Sequence, residues 1–474
     1  MRGRRGARGP GARRGGAWPL ACALALVAAL GACGGLPPLE DGRSTAYRPG
    51  LPDFDLDARV VALAPGAEVE ALVSIPRASL VFTSAGEGYA AIARTALRLL
   101  DADGEPLASP SRLDTVRVAS FAETGALAPL VVRQRLPAVT GALVLEAEVE
   151  DEKTGRVALR RLAVTVPAPK ARLALGMPRL AVRDPASGAV QPLLALAVPA
   201  GHDSLRARVD VFGAGGPVIV RADLLRLRSD TTVAEPPSAF TPSPGSLRAR
   251  GVDVRRPEPV ATAEVRVAAP ADVLTAEVPL PGLPPGVYRL RMEAAGGSGG
   301  PLAESERTFV VRPPGFPRLV GMGALVGPLA YLATPREMAA LRERSMGGPD
   351  SARAAFDAFW GSLFQDRRRA AATLRAYYER VEEANRLFSA HTEGWKTDRG
   401  MVYVLFGPPE RAEDRFNSEV WTYGGQTGAV FVFERTARRD RTRDPFDVWT
   451  LTRDRAYDAT WRRALRLWRS GSPP

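Results

Sequence analysis

GALVLEAEVEDEKTGRVALRRLAVTVP, Gly141 to Pro167, decides how the first half of this chain folds. Val144, Glu146, Glu148 and Glu150 fall on one side of it, and Leu143, Leu145, Ala147 and Val149 on the other. A repeat of two sends alternate side chains to opposite faces, so the stretch predicts a half-buried strand. Asp151 to Gly155 is a polar turn. After it, Val157, Leu159, Arg161 and Ala163 alternate with Ala158, Arg160, Leu162 and Val164. The two runs make a hairpin.

Upstream, VEALVSIP, IARTALRLLDADGEPL, VRVASF and LVVRQRL are short and rich in β-branched or apolar residues. A hairpin closing a unit of roughly 110 residues predicts an all-β, immunoglobulin-like sandwich over residues 55–167. A second sandwich, immunoglobulin- or fibronectin-like, is expected over 171–312. Its candidate strands are LLALAVP, LRARVDVF and VIVRADLLRL, and it ends in the hairpin LPPGVYRLRMEAAG and ESERTFVVRPP. There Val287, Arg289, Arg291 and Glu293 would face one way, and Tyr288, Leu290, Met292 and Ala294 the other. The Pro-, Ser- and Arg-rich segment Asp230 to Pro259 is expected to be an exposed loop or insertion.

Beyond Pro313-Pro314 the period changes. Thr334-Pro335-Arg336-Glu337 is a capping box with proline at the first helical position. Asp350 is expected to cap the next helix, in which Phe356, Phe359, Trp360 and Leu363 recur at helical spacing. A third helix carries Leu374, Tyr377, Tyr378, Val381, Ala384 and Phe388 on one stripe; all these apolar residues are expected in the core. The continuous apolar run Val402 to Phe406 reads as a strand buried on both faces. EVWTYGG, GAVFVFER and DPFDVWTLTR supply further strands, and DATWRRALRLW a final helix. The expectation for residues 321–470 is α+β: helices first, then a small, mostly antiparallel sheet.

The series FDAFW (Phe356–Trp360), YYERVEEANRLF (Tyr377–Phe388), EGWKTDRGMVYVLFGPPE (Glu393–Glu410) and EVWTYG (Glu419–Gly424) resembles the GWxTD domain, a family of bacterial envelope proteins named for Gly394, Trp395, Thr397 and Asp398. The resemblance implies an architecture and no reaction. On the residues themselves, Gly394 is read as ending a helix with positive φ. Trp395 is a plug between helix and sheet, Thr397 or Asp398 an acceptor for nearby backbone N–H groups, and Gly400 the entry to the strand.

The competing reading is an envelope hydrolase with His391, Glu393 and Asp398 as acid and base, joined by Glu410 and Asp414 across the sheet. Against it, the chain has two His, His202 and His391, in different modules. It shows no Ser-His-Asp order with an elbow, no HExxH, no phosphate loop and no Ca²⁺-loop spacing, so neither cofactor nor metal is expected.

The start of the chain is read as an address. Arg2, Arg4, Arg5, Arg8, Arg13 and Arg14 precede AWPLACALALVAAL, Ala17 to Leu30, an apolar stretch shorter than the ~20 residues of a spanning helix. Leu30-Gly31-Ala32-Cys33 resembles the bacterial lipoprotein signal box, which implies removal of residues 1–32 and acylation of Cys33. The other cysteine, Cys22, would leave with the signal, so the mature chain could form no internal disulfide. Residues 33–54 read as a flexible tether. Gly34 after the cysteine implies, by resemblance, the outer membrane, facing the periplasm.

At 474 residues roughly three domains are expected, and 45% hydrophobic with 24% charged residues excludes a chain disordered throughout. The net charge of +12 is halved once the arginines of the first 32 residues are set aside, and no nucleic-acid motif accompanies it. Trp421, Trp449 and the Arg-rich tail (Arg438, Arg439, Arg441, Arg443, Arg462, Arg463, Arg466, Arg469) are candidate contacts for an envelope protein, an anionic glycan or a lipid surface. Asp440, Asp444, Asp447 and Asp454 interleave with them, as on a solvated face. The preferred reading is a lipid-anchored, non-catalytic interaction or scaffold protein.

Overall fold

The computed structural model describes residues 52–474 except 64–65, 126–128, 169–172, 184–189, 194–196, 200–204, 238–250, 269–272, 297–301, 416–417, 426–427, 436–445 and 447. The signal segment, Cys33, nearly all of the tether and His202 lie outside these residues.

Two antiparallel sheets face each other in the first module. One holds Asp55–Ala62, Ala67–Pro76 and Pro129–Ala138. The other is built on Gly88–Leu100, which pairs with Ser111–Val118 on one side and Gly141–Asp151 on the other; Arg156–Val166 follows at the edge. Leu143, Leu145, Ala147 and Val149 are buried as the alternation requires. Their core partners include Leu56, Val73, Ile75 and Leu99 from both sheets. The outward face carries a cross-strand charge ladder in which Arg98 and Arg161 meet Glu146.

The second module is also a two-sheet sandwich. Leu205–Phe212 lies at the centre of one sheet, between Arg179–Arg183 and Val273–Pro279. The other runs in the order Ala197–Pro199, Ala303–Arg312, Gly286–Gly296, Val218–Ser229, Val252–Val267. Tyr288 is fully buried, and its hydroxyl donates to Pro284 O at 2.8 Å, a tyrosine pinning the corner that precedes its own strand. The predicted loop Asp230 to Pro259 is corrected in two places. Val252 onward is an edge strand, bulged where Pro257 and Pro259 withhold donors. Asp230 to Pro237, exposed at Thr231, Thr232, Glu235 and Pro236, crosses onto the C-terminal module.

That module is α+β. Helices Pro335–Ser345, Pro349–Leu363 and Arg367–Phe388 are followed by the helix Asp398–Phe406, a four-stranded antiparallel sheet and the helix Tyr457–Arg469. The capping box forms: Glu337 N donates to Thr334 Oγ1, and Thr334 N donates to the Glu337 carboxylate at 2.7 Å. Asp350 is not the cap of its helix. Gly348 is, with Pro349 in the first turn, because a φ of 101° suits glycine there.

The largest correction concerns Val402 to Phe406, which is helical. A short apolar run cannot distinguish a strand from a helix buried on all sides. Here Thr397 caps the helix and Gly407, at φ 79°, ends it. Every residue from Asp398 to Phe406 is buried, and this helix forms the centre of the module. The strand Arg411–Arg415 was not foreseen. Trp360, Tyr377, Trp421, Phe431, Phe433, Trp461 and Trp468 fill the core around the central helix.

Candidate functional site

The corner from His391 to Gly400 joins the long helix to the central one. It begins where Arg367–Phe388 ends. Ser389 Oγ accepts from Gly394 N at 2.7 Å, and Asn385 Oδ1 accepts from Trp395 N at 3.3 Å. Asn385 donates its amide onward to Pro317 O at 3.0 Å.

Gly394 lies so close to the long helix that a Cβ would sit 1.9 Å from Ala384 O. Gly400 has the same constraint: its Cβ would sit 1.8 Å from Gly394 O. Both glycines are therefore demanded by backbone contact. The expected positive φ at Gly394 and strand entry at Gly400 are corrected: Gly394 opens a 3₁₀ turn through Lys396, and Gly400 sits in the first turn of the central helix.

Trp395 is 3% exposed. Its ring meets Tyr331 edge to face at 6.0 Å and lies over Gly327, and Tyr331 donates its hydroxyl to Trp395 O at 2.7 Å. Thr397 Oγ1 accepts from Gly400 N at 3.0 Å and donates to Gly394 O at 2.7 Å, so one hydroxyl caps the helix and closes the turn.

Asp398 is 1% exposed, and its carboxylate reaches into the sheet. Oδ2 accepts from Leu451 N at 2.8 Å and Arg453 Nη1 at 3.1 Å, while Oδ1 accepts from Arg453 Nη2 at 2.6 Å. This is a two-pronged ion pair plus a backbone bond, the form in which a buried carboxylate is tolerated. Beside it, Arg399 pairs with Glu419 at 3.1 Å and lies between the rings of Phe388 and Trp449; Glu419 also accepts from the Trp421 indole.

The segment Asp230 to Pro237 of the second sandwich lies across this corner. Ala234 N donates to Lys396 O at 3.0 Å, Arg453 Nη2 donates to Glu235 O at 3.0 Å, and Asp454 N donates to Pro237 O at 3.1 Å. His391 Nε2 is 3.1 Å from Asp230 O. The Ala234 side chain is buried in the aromatic core of the C-terminal module. A second seam lies alongside, where Leu227, Val252, Val287 and Val310 of the sandwich meet Ala390 and Phe446. Arg312, buried at the junction, donates to Thr392 O at 3.3 Å; burial lowers its pKa to about 10 against the opposing pull of Glu393.

Residues 299–470 match the family described as the GWxTD domain. This part of the chain is a GWxTD domain. Its match begins before the strand Ala303–Arg312, so it takes in the strand that carries Arg312 to the corner. No curated protein matches the chain. Among solved structures, the native conformation of the E. coli alpha-2-macroglobulin is similar at 15% identity and a TM-score of 0.18, over 56% of this chain and 16% of that one. A DUF4785 family protein from Legionella pneumophila is similar at 10% identity and a TM-score of 0.17, over 54% and 57%. The chain thus spans about a sixth of the first of these.

The three side chains of the hydrolase reading have different partners. Asp398 serves Leu451 and Arg453, Glu393 pairs with Lys396, and His391 meets the strap carbonyl. Glu410 sets its carboxylate against Gly424; the Asp414 side chain is outside the described residues. Beneath the strap, His391, Thr392, Asp398 and Trp449 line a cavity of about 30 Å³, room for a water or two. No cluster of metal-ligating side chains occurs among the described residues.

Trp421 and Trp449, expected to be exposed, are buried in the GWxTD core. Arg438, Arg439, Arg441 and Arg443 lie outside the described residues. Arg462 pairs with Asp458, and Arg469 with Glu337. Sequence reading missed the Arg399–Glu419 pair, Arg453 and the strap, whose partners lie 20 or more residues apart along the chain. Asn385 alone left a signal, as a polar residue flanking the buried stripe of the long helix.

Proposed function

We propose that this chain is a lipid-anchored envelope protein, acylated at Cys33, in which the GWxTD domain is a non-catalytic docking module and the two sandwiches hold it away from the membrane. The observation that carries this reading is the use made of the motif. Gly394 and Gly400 permit backbone contact, Trp395 fills the core, Thr397 caps a helix, and Asp398 fastens the domain to Arg453 and, through it, to the strap. The Asp398 carboxylate, bonded to Leu451 N and Arg453, is already satisfied by the fold. Anchoring at Cys33 is supported by the signal box in the sequence, and the outer membrane is the expected address.

The test combines two measurements. Metabolic labelling with a fatty-acid analogue should mark the wild-type chain in the membrane fraction and leave the Cys33→Ala variant unlabelled. Crosslinking in intact envelopes should then capture the same protein partner with wild type and with Glu393→Gln. An unlabelled, unanchored wild-type chain would sink the anchoring. Hydrolysis of an envelope polymer, abolished by Glu393→Gln or His391→Gln with the fold intact, would sink the docking reading.

A further inference from the structure

We infer that the corner beneath the strap is a peptide-docking groove, held in cis by Asp230 to Pro237, and that its partner is a peptide segment of the pattern small-x-x-Pro. This rests on the non-catalytic reading above and names the chemistry of the partner.

Three observations define the groove. First, the strap is held mainly through its main chain: Ala234 N–H and the carbonyls of Asp230, Glu235 and Pro237 all meet groups of the GWxTD domain. Recognition of this kind accepts many sequences, because every peptide offers the same N–H and C=O groups. Second, full burial falls on two positions, with Val233 half-buried against the aromatic core. Ala234 and Pro237 are buried, while Thr231, Thr232, Glu235 and Pro236 are exposed. The groove thus selects for a residue no larger than alanine and for a proline three places later. Third, the donors are prepared by the domain itself. Arg453 is oriented by both oxygens of Asp398 and extends the same guanidinium to the Glu235 carbonyl, and Lys396 O, which accepts from Ala234, belongs to the turn held by Thr397. A site whose donors and acceptors are already fixed gives up little entropy on binding.

The strap is tethered on its sandwich side to the strand Val218–Ser229, so it competes at an effective concentration in the millimolar range. A partner segment would have to displace it, which makes the strap an internal competitor as well as a clamp.

The experiment uses the full chain and a fluorescein-labelled peptide of sequence DTTVAEPP, with the same peptide carrying the Ala234→Arg change as control. Two proteins have the strap expelled: Ala234→Arg, and the double variant Ala234→Glu with Pro237→Glu, which removes both residues of the pattern. Fluorescence anisotropy should show the peptide binding both variants at least roughly 100-fold more tightly than wild type, and the control peptide binding none of them. Thermal melts run in parallel report folding. Equal binding of peptide and control to well-folded variants overturns the groove and leaves the non-catalytic reading standing. Loss of folding in both variants also overturns it, by making the strap a permanent part of the core. Sedimentation showing that the variants or the wild type pair through exchanged straps assigns the groove to a second copy and overturns a separate partner.

Discussion

Gly394 and Gly400 contribute no side chain, yet the corner closes only because neither has one. A Cβ at either would sit under 2 Å from a backbone oxygen, a contact no rotamer change relieves. Gly394→Ala and Gly400→Ala should each cost on the order of 3 kcal/mol or more, read as a fall in melting temperature. Gly323→Ala, where nothing lies within 4 Å, should stay within about 0.5 kcal/mol of wild type. Asp398 and Arg453 make the second residue-scale case. Removing one partner of a buried pair strands the other, so Asp398→Asn and Arg453→Met should each cost about 3 kcal/mol. The double variant should cost clearly less than their sum, as a denaturant double-mutant cycle would show.

Single elements are tied together by Glu337. It closes the capping box of Pro335–Ser345 and accepts both prongs of Arg469 from the last helix, at 2.9 and 3.0 Å. The Arg469 hydrogen bonds hold its pKa down from an ordinary 4.5 to about 2. A depressed carboxylate contributes its stability above the unfolded value and loses it as pH falls through the folded one. The melting-temperature gap between wild type and Glu337→Gln should therefore be largest near neutral pH. It should narrow between about pH 4.5 and 2 and correspond to about 1 kcal/mol, since both side chains are partly exposed. The element scale is also where local sequence was most and least informative. Alternation placed Leu143 to Val149 inward, and the Thr334–Glu337 box set a helix start, because both signals are carried by neighbours in sequence. MVYVLF was misread because an apolar run has no period to read. What decides for helix there is the cap at Thr397 and burial on all sides.

At the scale of the whole molecule, the GWxTD domain is completed by the module before it. Ala234 sits in its core, and Leu227 and Val287 pack on Phe446. The two sandwiches are joined in the same manner, with Phe212 of the second in the core of the first and the Arg307 guanidinium 4.0 Å from Asp57. If Asp398 steadies the strap through Arg453, Asp398→Asn should speed hydrogen exchange at the Ala234 amide by at least about tenfold. Exchange at Val220 and Leu290, in the sandwich core, should not change. Equal exchange at Ala234 in the two proteins would show that the motif and the strap are independent.

The kinds of module and their order are legible along the chain: alternation marks the sandwiches, capping and a 3.6-residue stripe mark the helices, and four letters mark the corner. What those four letters do follows from contacts that exist in the folded molecule alone. The partners of Asp398 lie 53 and 55 residues further on, and the strap that crosses the corner lies more than 150 residues before it. Local propensity acts between neighbours along the chain, whereas burial and pairing of charge act between neighbours in space, and only folding makes Arg453, Ala234 and Trp395 neighbours.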